Sequence, residues 1–277
     1  MAAYAAPAGA ADLAPGRALA AGEHPLQAPL AATSVVSSLD SAEAYGAAIC
    51  THSGGFHCDE ALAIGMLKLL PRFQESVVVR SRSSEVHDAC AIVVDVGGVH
   101  DHARKRYDHH QRSFNADSED VTLGVGGFKT KLSACGLVYK YYGREIVGAV
   151  RAACGAPEES PELADKIWKR VYAGFVEHVD GIDNGIKAFS GGKANYSVST
   201  TLSSRVGALN PEWNEPSSND VRNAQFQKAM MLTQREFIAK VEDLYKSWLP
   251  ARQIVERAVL ANLEAHTKGK RAAPDAA

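Results

Sequence analysis

Residues 47–71 read AAICTHSGGFHCDEALAIGMLKLLP. Ala47–Cys50 is an apolar run of strand length, and the polar, Gly-bearing stretch 51–56 is a turn. From His57 onward apolar residues return with helical spacing. Leu62, Met66, Leu69 and Leu70 fall on one face, and Pro71 stops the run. Asp59 and Glu60 sit in the first turn, where the helix dipole favours carboxylates. Two β-branched runs follow, SVVVRS at 76–81 and AIVVDVGG at 91–98. Both are bounded by turn residues, as buried strands are. Strand, helix, strand, strand in this order predicts a parallel α/β sheet. Ligands of such sheets gather beyond the carboxyl ends of the strands. His52 follows the first strand and Asp95 closes the third.

Outward from this unit the chain changes character. Its 277 residues, 46% hydrophobic, suffice for one large core or two modest ones. A net charge of −2 gives no global field for nucleic acid, so such a substrate needs a local basic patch. Five scattered cysteines without C-x-x-C spacing read as reduced thiols of an intracellular protein. No apolar run is long enough to span a bilayer. Residues 1–45 are Ala-, Pro- and Gly-rich and are read as a disordered tail. The alternative is a mitochondrial targeting segment, for which one Arg (Arg17) against Asp12 and Glu23 is a poor composition.

Residues 46–190 form the expected α/β domain. They include one helix in KLSACGLVYKYYG, a second over Glu145–Cys154, and a third from Pro161 to about Asp180. The third is closed by VDGIDNG. Residues 191–264 are expected to be a helical extension, with one long helix from Asp220 and a last one after Pro250. The long helices read either as a dimer face or as a layer on the sheet. Residues 265–277 read as a second disordered tail.

The polar groups that stand out are His52, His57, Asp59, Asp95, Asp108, His109, His110, Asp180 and Asp183. His52-x4-His57-x-Asp59 puts three donors into one strand-to-helix turn. The stretch RYDHHQ (106–111) follows the Asp95 strand within reach. A single Asp at a strand end is usually a turn residue, and a single His is usually no ligand. Four segments carrying His or Asp toward one sheet edge are a different matter, and predict a metal site. Imidazole with carboxylate suits Mn(II), Fe(II), Zn(II) or Co(II), and the excess of carboxylate tilts the choice toward harder ions, with Mn(II) first and Mg(II) beside it. Two ions would clamp the attacking and leaving oxygens of phosphoryl transfer, and Asp95, central to the set, is the natural bridge.

These motifs resemble the DHH phosphoesterase superfamily. Within it, THSGGFHCDEALA, IVVDVGG, RYDHHQRSF, TKLSACGLVY, VDGIDNGI, TTLSSRV with LNPEWN, and SWLPAR resemble the melanocyte-proliferating-gene-one family of exonucleases. The resemblance runs from about Ile49 to Leu263 in order. It implies a Rossmann-like metal-binding domain followed by a second lobe that closes on substrate. The family continues past the matched blocks, so that lobe is expected to be incomplete here.

By motif, the resemblance makes His52, His57 and Asp59 metal ligands, Asp95 the bridging ligand and His109 the metal-binding histidine. Asp108 would orient His109, and His110 would face the scissile phosphate as donor or acid. The fourth motif leaves Asp180 and Asp183 equally eligible. The implied activity is metal-dependent 3′–5′ exonucleolytic cleavage of single-stranded RNA by metal-hydroxide attack on phosphorus. It would serve RNA processing in mitochondrion or nucleus, with the cytoplasm as the other compartment. Lys131 and Arg205 are the expected phosphate contacts, whereas Lys129 reads as a surface cation. Trp213 reads equally as a base-stacking platform or a packing anchor, and Cys58 as a buried helix-start thiol. Two alternatives stand beside the exonuclease: a small-substrate phosphohydrolase of the same fold, and a metal-binding RNA- or partner-binding protein with little turnover.

Overall fold

The computed structural model describes residues 24–115, 121–189, 191 and 195–271. Its sheet has six strands: β1 Val35–Val36, β2 Ile49–Thr51, β3 Val78–Arg80, β4 Ile92–Val94, β5 His100–Asp101 and β6 Arg106–Tyr107. Their order is β1-β3-β2-β4-β6-β5, parallel throughout except for the antiparallel pair β5–β6. The expected mostly parallel α/β fold is therefore present.

Alternation along the strands explains why both faces are covered. Ile49, Val78, Ile92 and Val94 join the main core. Their neighbours Cys50, Val79 and Val93 point to the opposite face and pack with Ala48, Cys90 and Val96. A strand apolar on both sides must sit between two layers.

The helices, in chain order, are α1 Ala28–Ala31, α2 Ala42–Tyr45, α3 Cys58–Leu67, α4 Pro71–Gln74, α5 Ser84–Ala89 and α6 Ala134–Ala153. They continue with α7 Pro161–Val171, α8 Glu177–Asp183, α9 Leu202–Gly207, α10 Asn219–Asp243 and α11 Leu249–Arg271. Helix α3 lies between α6 and α10, so all ten of its residues are buried rather than one stripe. Gly65 permits the crossing: a Cβ there would lie 3.2 Å from Cβ of Gln234.

Several expectations are corrected. The leader read as featureless folds from His24 on, and Val35–Val36 completes the sheet edge. A two-residue strand is too short to leave a period in the sequence. Residues 1–23 and 272–277 lie outside the described part, yet α11 runs on to Arg271 through much of the expected second tail. The two helices expected across 131–154 are one, α6. Gly143 is no stop signal there; a Cβ would meet Trp168 Nε1 at 2.8 Å and the Tyr139 ring at 2.9 Å. The helix from Pro161 continues past Asp180 to Asp183 through a wide turn at Tyr172–Val176. A similar turn, Leu244–Trp248, joins α10 to α11 without a break. Pro250 lacks an N–H and crowds the carbonyl four residues back, and a widened turn relieves both.

Candidate metal centre

Strands β2, β4 and β6 are neighbours, and each releases its chain at the same edge. His52 follows β2, Asp95 follows β4 and Asp108 follows β6. The DHH triplet thus leaves a strand after all. Arg106 and Tyr107 do not read as one because their polar ends are used elsewhere: Arg106 donates to the carbonyls of His87 and Cys90, and the Tyr107 hydroxyl meets that of Tyr142. The first turn of α3 adds Asp59 and Glu60, with His57 just before it, and the last turn of α8 adds Asp183. Asp95 turns the chain with φ of +57°, in the left-handed region that only a few residue types tolerate.

Asp95 lies at the centre. One of its carboxylate oxygens is 3.4 Å from His52 Nε2, and the other is 3.3 Å from His109 Nε2. His52 Nε2 also lies 3.0 Å from Glu60, and His109 Nε2 lies 3.3 Å from Asp183 and 3.8 Å from Asp59. The donor atoms fall into overlapping groups, each within 4.8 Å: His52, His57, Glu60 and Asp95; Asp95, His109 and His110; Asp59, His109 and Asp183. Asp59 Oδ1, Glu60 Oε2, Asp95 Oδ1 and both ring nitrogens of His109 are buried without a hydrogen-bond partner. Burying unpaired carboxylates beside one another is costly unless a cation joins them. Burial, and then Asp95 and Asp183, push the Asp59 carboxyl well above the usual range. Burial also raises Asp95, but the His109 and His52 imidazoles beside it outweigh that and hold the carboxyl low. Burial lowers His52, yet Asp95 and Glu60 prevail and bring it up to about 10. The donor set therefore fits one or more divalent ions, with Asp95 common to the groups.

The remaining predicted residues separate cleanly. Asp183 faces the centre; Asp180 does not. The Asp180 carboxylate is fully buried, accepting from the backbone N–H (2.9 Å) and hydroxyl (2.7 Å) of Ser133 and from the Tyr172 hydroxyl at 2.9 Å. It fits because residue 136 is Gly; a Cβ there would be 2.3 Å from the carboxylate. Asp108 orients His110, not His109: its Oδ1 accepts from the His110 backbone N–H at 3.0 Å and lies 2.8 Å from Nδ1. That hydrogen bond is the main reason the His110 imidazole stays protonated to higher pH than usual, and its side chain is 63% exposed toward the cleft. Lys131 lines the same cleft, donating to the His109 carbonyl at 3.2 Å. Arg205 is instead locked in a bidentate pair with Glu236 that ties α9 to α10. Lys129 is an exposed surface cation, Trp213 is 93% exposed and so is no packing anchor, and Cys58 is buried. Glu60 and Arg82, which line or enter the site, carry no special mark in the sequence. Glu60 reads as an ordinary first-turn acid, and Arg82 lies among the polar residues after a strand.

The profile described as uncharacterised protein family UPF0160, MYG1_exonuc, matches residues 48–273. The chain belongs to the MYG1 exonuclease family. It is 43% identical over 222 residues to the MYG1 exonuclease of Bos taurus and 42% identical to that of Homo sapiens. These alignments cover 80% of this chain and 56% and 57% of the relatives. The Caenorhabditis elegans MYG1 protein C27H6.8 is 44% identical, over 80% of this chain and 63% of its own length. The chain thus spans little more than half the length of the mammalian MYG1 relatives. No solved structure matches it. Among the described residues, no helix is long and apolar enough to cross a membrane.

Proposed function

We propose that this MYG1-family chain is a metal-dependent phosphodiesterase that removes nucleotides from the 3′ end of single-stranded RNA, using two Mn(II) or Mg(II) ions. The observation that carries the reading is Asp95, whose two oxygens face separate groups of imidazole and carboxylate donors. The exonuclease name of the mammalian relatives supports it. His52, His57, Glu60 and Asp95 would hold one ion, and Asp59, Asp95, His109 and Asp183 the other. When bound, such ions lower the pKa of water toward neutrality and offset charge on phosphoryl oxygens. The chain's own groups do the rest. Asp108 holds the Nδ1 proton of His110, leaving Nε2 toward the cleft to donate to a phosphate oxygen. Lys131 adds a positive charge on the same wall.

The test is a 5′-labelled single-stranded RNA incubated with the full chain in Mn(II), Mg(II) or EDTA, beside Asp95→Ala. A ladder shortening from the 3′ end, lost in EDTA and in the variant, is the expected result. Intact RNA in the presence of protein that still binds Mn(II) would overturn the exonuclease. The net charge of −2 then favours the small-substrate reading, which a substrate-length series addresses.

A further inference from the structure

Two cavities open from the metal centre. The larger, about 480 Å³, contains Lys131 and Asn184; the smaller, about 330 Å³, contains Arg82, Gly98 and Gln111. His57 and His110 line both. A substrate whose reacting phosphate lies at the metals therefore extends to either side.

The smaller cavity has few free anions. Asp108 is occupied by the Gly98 N–H and by His110, and Asp95 is flanked by the His52 and His109 imidazoles at the metal centre. Gly98, at φ +68°, has nothing within 4 Å of where a Cβ would stand, so a ligand can approach the main chain. Arg82 is anchored at one edge only. Its Nε donates to the Ser53 carbonyl at 3.2 Å, and its Nη2 lies 3.3 Å from His52 Nδ1. That same Nδ1 lies 3.2 Å from the Ser53 carbonyl, while His52 directs Nε2 at Glu60 and Asp95. An imidazole that gives Nε2 to a cation carries its proton on Nδ1 and donates it to a carbonyl. Nη2 of Arg82 then meets a donor, not an acceptor, and its outer N–H groups are open to solvent and to a ligand. A guanidinium held at one edge and open at its fork can receive two phosphate oxygens at once.

We propose that the smaller cavity is a phosphate subsite, in which Arg82 grips the phosphate next to the one being cleaved. This rests on the phosphodiesterase reading, and it makes a strand with at least two phosphates the preferred substrate.

The experiment uses the full chain with Arg82→Ala and Arg82→Lys; the side chain is exposed, so neither substitution opens the core. Two uridine ribodinucleotides serve as probes, one with a 5′-terminal phosphate besides its diester and one without. Binding to Ca(II)-loaded protein is followed by calorimetry, and KM and kcat in Mn(II) by product release. Wild type is expected to bind the two-phosphate probe the more tightly. Arg82→Ala should reduce that preference on the order of tenfold, as loss of a charge-assisted contact does, mainly through KM. Lys should restore only part of it, since an ammonium lacks the fork. Equal weakening toward both probes, or an unchanged preference, overturns the subsite. If wild type cleaves neither probe but its binding preference still depends on Arg82, the phosphodiesterase reading falls and the subsite stands.

Discussion

Glu60 is a fully buried carboxylate with two tasks. Its Oε1 accepts the backbone N–H of His57 at 2.9 Å, bracing the start of α3, and Oε2 has no partner. Glu60→Gln keeps the acceptor and removes the charge. One Mn(II) should then bind more weakly by on the order of ten- to a hundredfold, as when a supporting carboxylate is lost. The metal-free fold should lose little, because one of four crowded carboxylates has become neutral. Calorimetric titration with Mn(II) and a melting curve in EDTA separate the effects. At Asp180 the charge itself is the burden: burial outweighs four hydrogen bonds and pushes the carboxyl up to about 6. Its folded pKa exceeds the unfolded one, so the native state takes up the proton more readily. The stability this lends is full below about pH 4 and is lost as pH rises through about 6. Asp180→Asn should therefore gain on wild type by on the order of 2–3 kcal/mol between pH 4 and pH 7.5, measured by urea denaturation at both. Most of the side chains that meet at the centre are legible in the sequence because His and Asp are conspicuous beside strand ends. Asp180 and Asp183 are not separable there, since three residues of helix turn one inward to α6 and the other to the cleft, and only the packing partner says which. Glu60 is hidden by a helix-dipole role that fits it equally well.

Elements carry these side chains with little slack. The loop between β2 and α3 is clamped by the segment after α9: Asn210 Oδ1 accepts from the Phe56 N–H at 2.9 Å, and its Nδ2 donates to the Phe56 carbonyl at 2.8 Å. His57 is the next residue. Asn210→Ala leaves both main-chain groups of Phe56 without their partner, which costs about 1–3 kcal/mol. It should also weaken Mn(II) binding, less than Glu60→Gln does, because the donors remain and only their placement loosens. Chemical denaturation and Mn(II) titration on the same preparation test both. The β2–α3–β3–β4 unit is legible because its β-branched runs and helical spacing are long enough to show a period. Strand β6 is not; its two residues, Arg106 and Tyr107, take their conformation from pairing with β4 and from side-chain ties across the sheet. Nor is the enclosure of α3, which depends on α10, more than 150 residues downstream.

At the scale of the molecule, the sheet edge is an electrostatic debt that folding leaves to a ligand. Asp59, Glu60, Asp95 and Asp183 crowd a poorly solvated centre, and cations there favour the folded state over the unfolded one. Saturation at about 100 times Kd is worth about 2.7 kcal/mol per ion. For a chain of this size that is a rise in Tm of roughly 5–10 °C for one ion and more for two. Scanning calorimetry with Mn(II), then with excess EDTA, should show the rise and its reversal; an identical Tm in both would remove the metal centre from the account. The C-terminal helix differs: along α11, Ile254, Val255, Val259, Leu260 and Leu263 are each more than half exposed. The left-handed turn at Asp95 has one more consequence. Asn or Gly tolerates that backbone at least as well as Asp and brings no buried charge. Backbone conformation alone therefore does not call for Asp here; its charge does, because His52 and His109 hold it, whereas Asp59 is the carboxylate that burial penalises. Directed evolution for heat resistance alone, without a screen for turnover, would spare Asp95 and select away from Asp59, returning a tougher, inert protein.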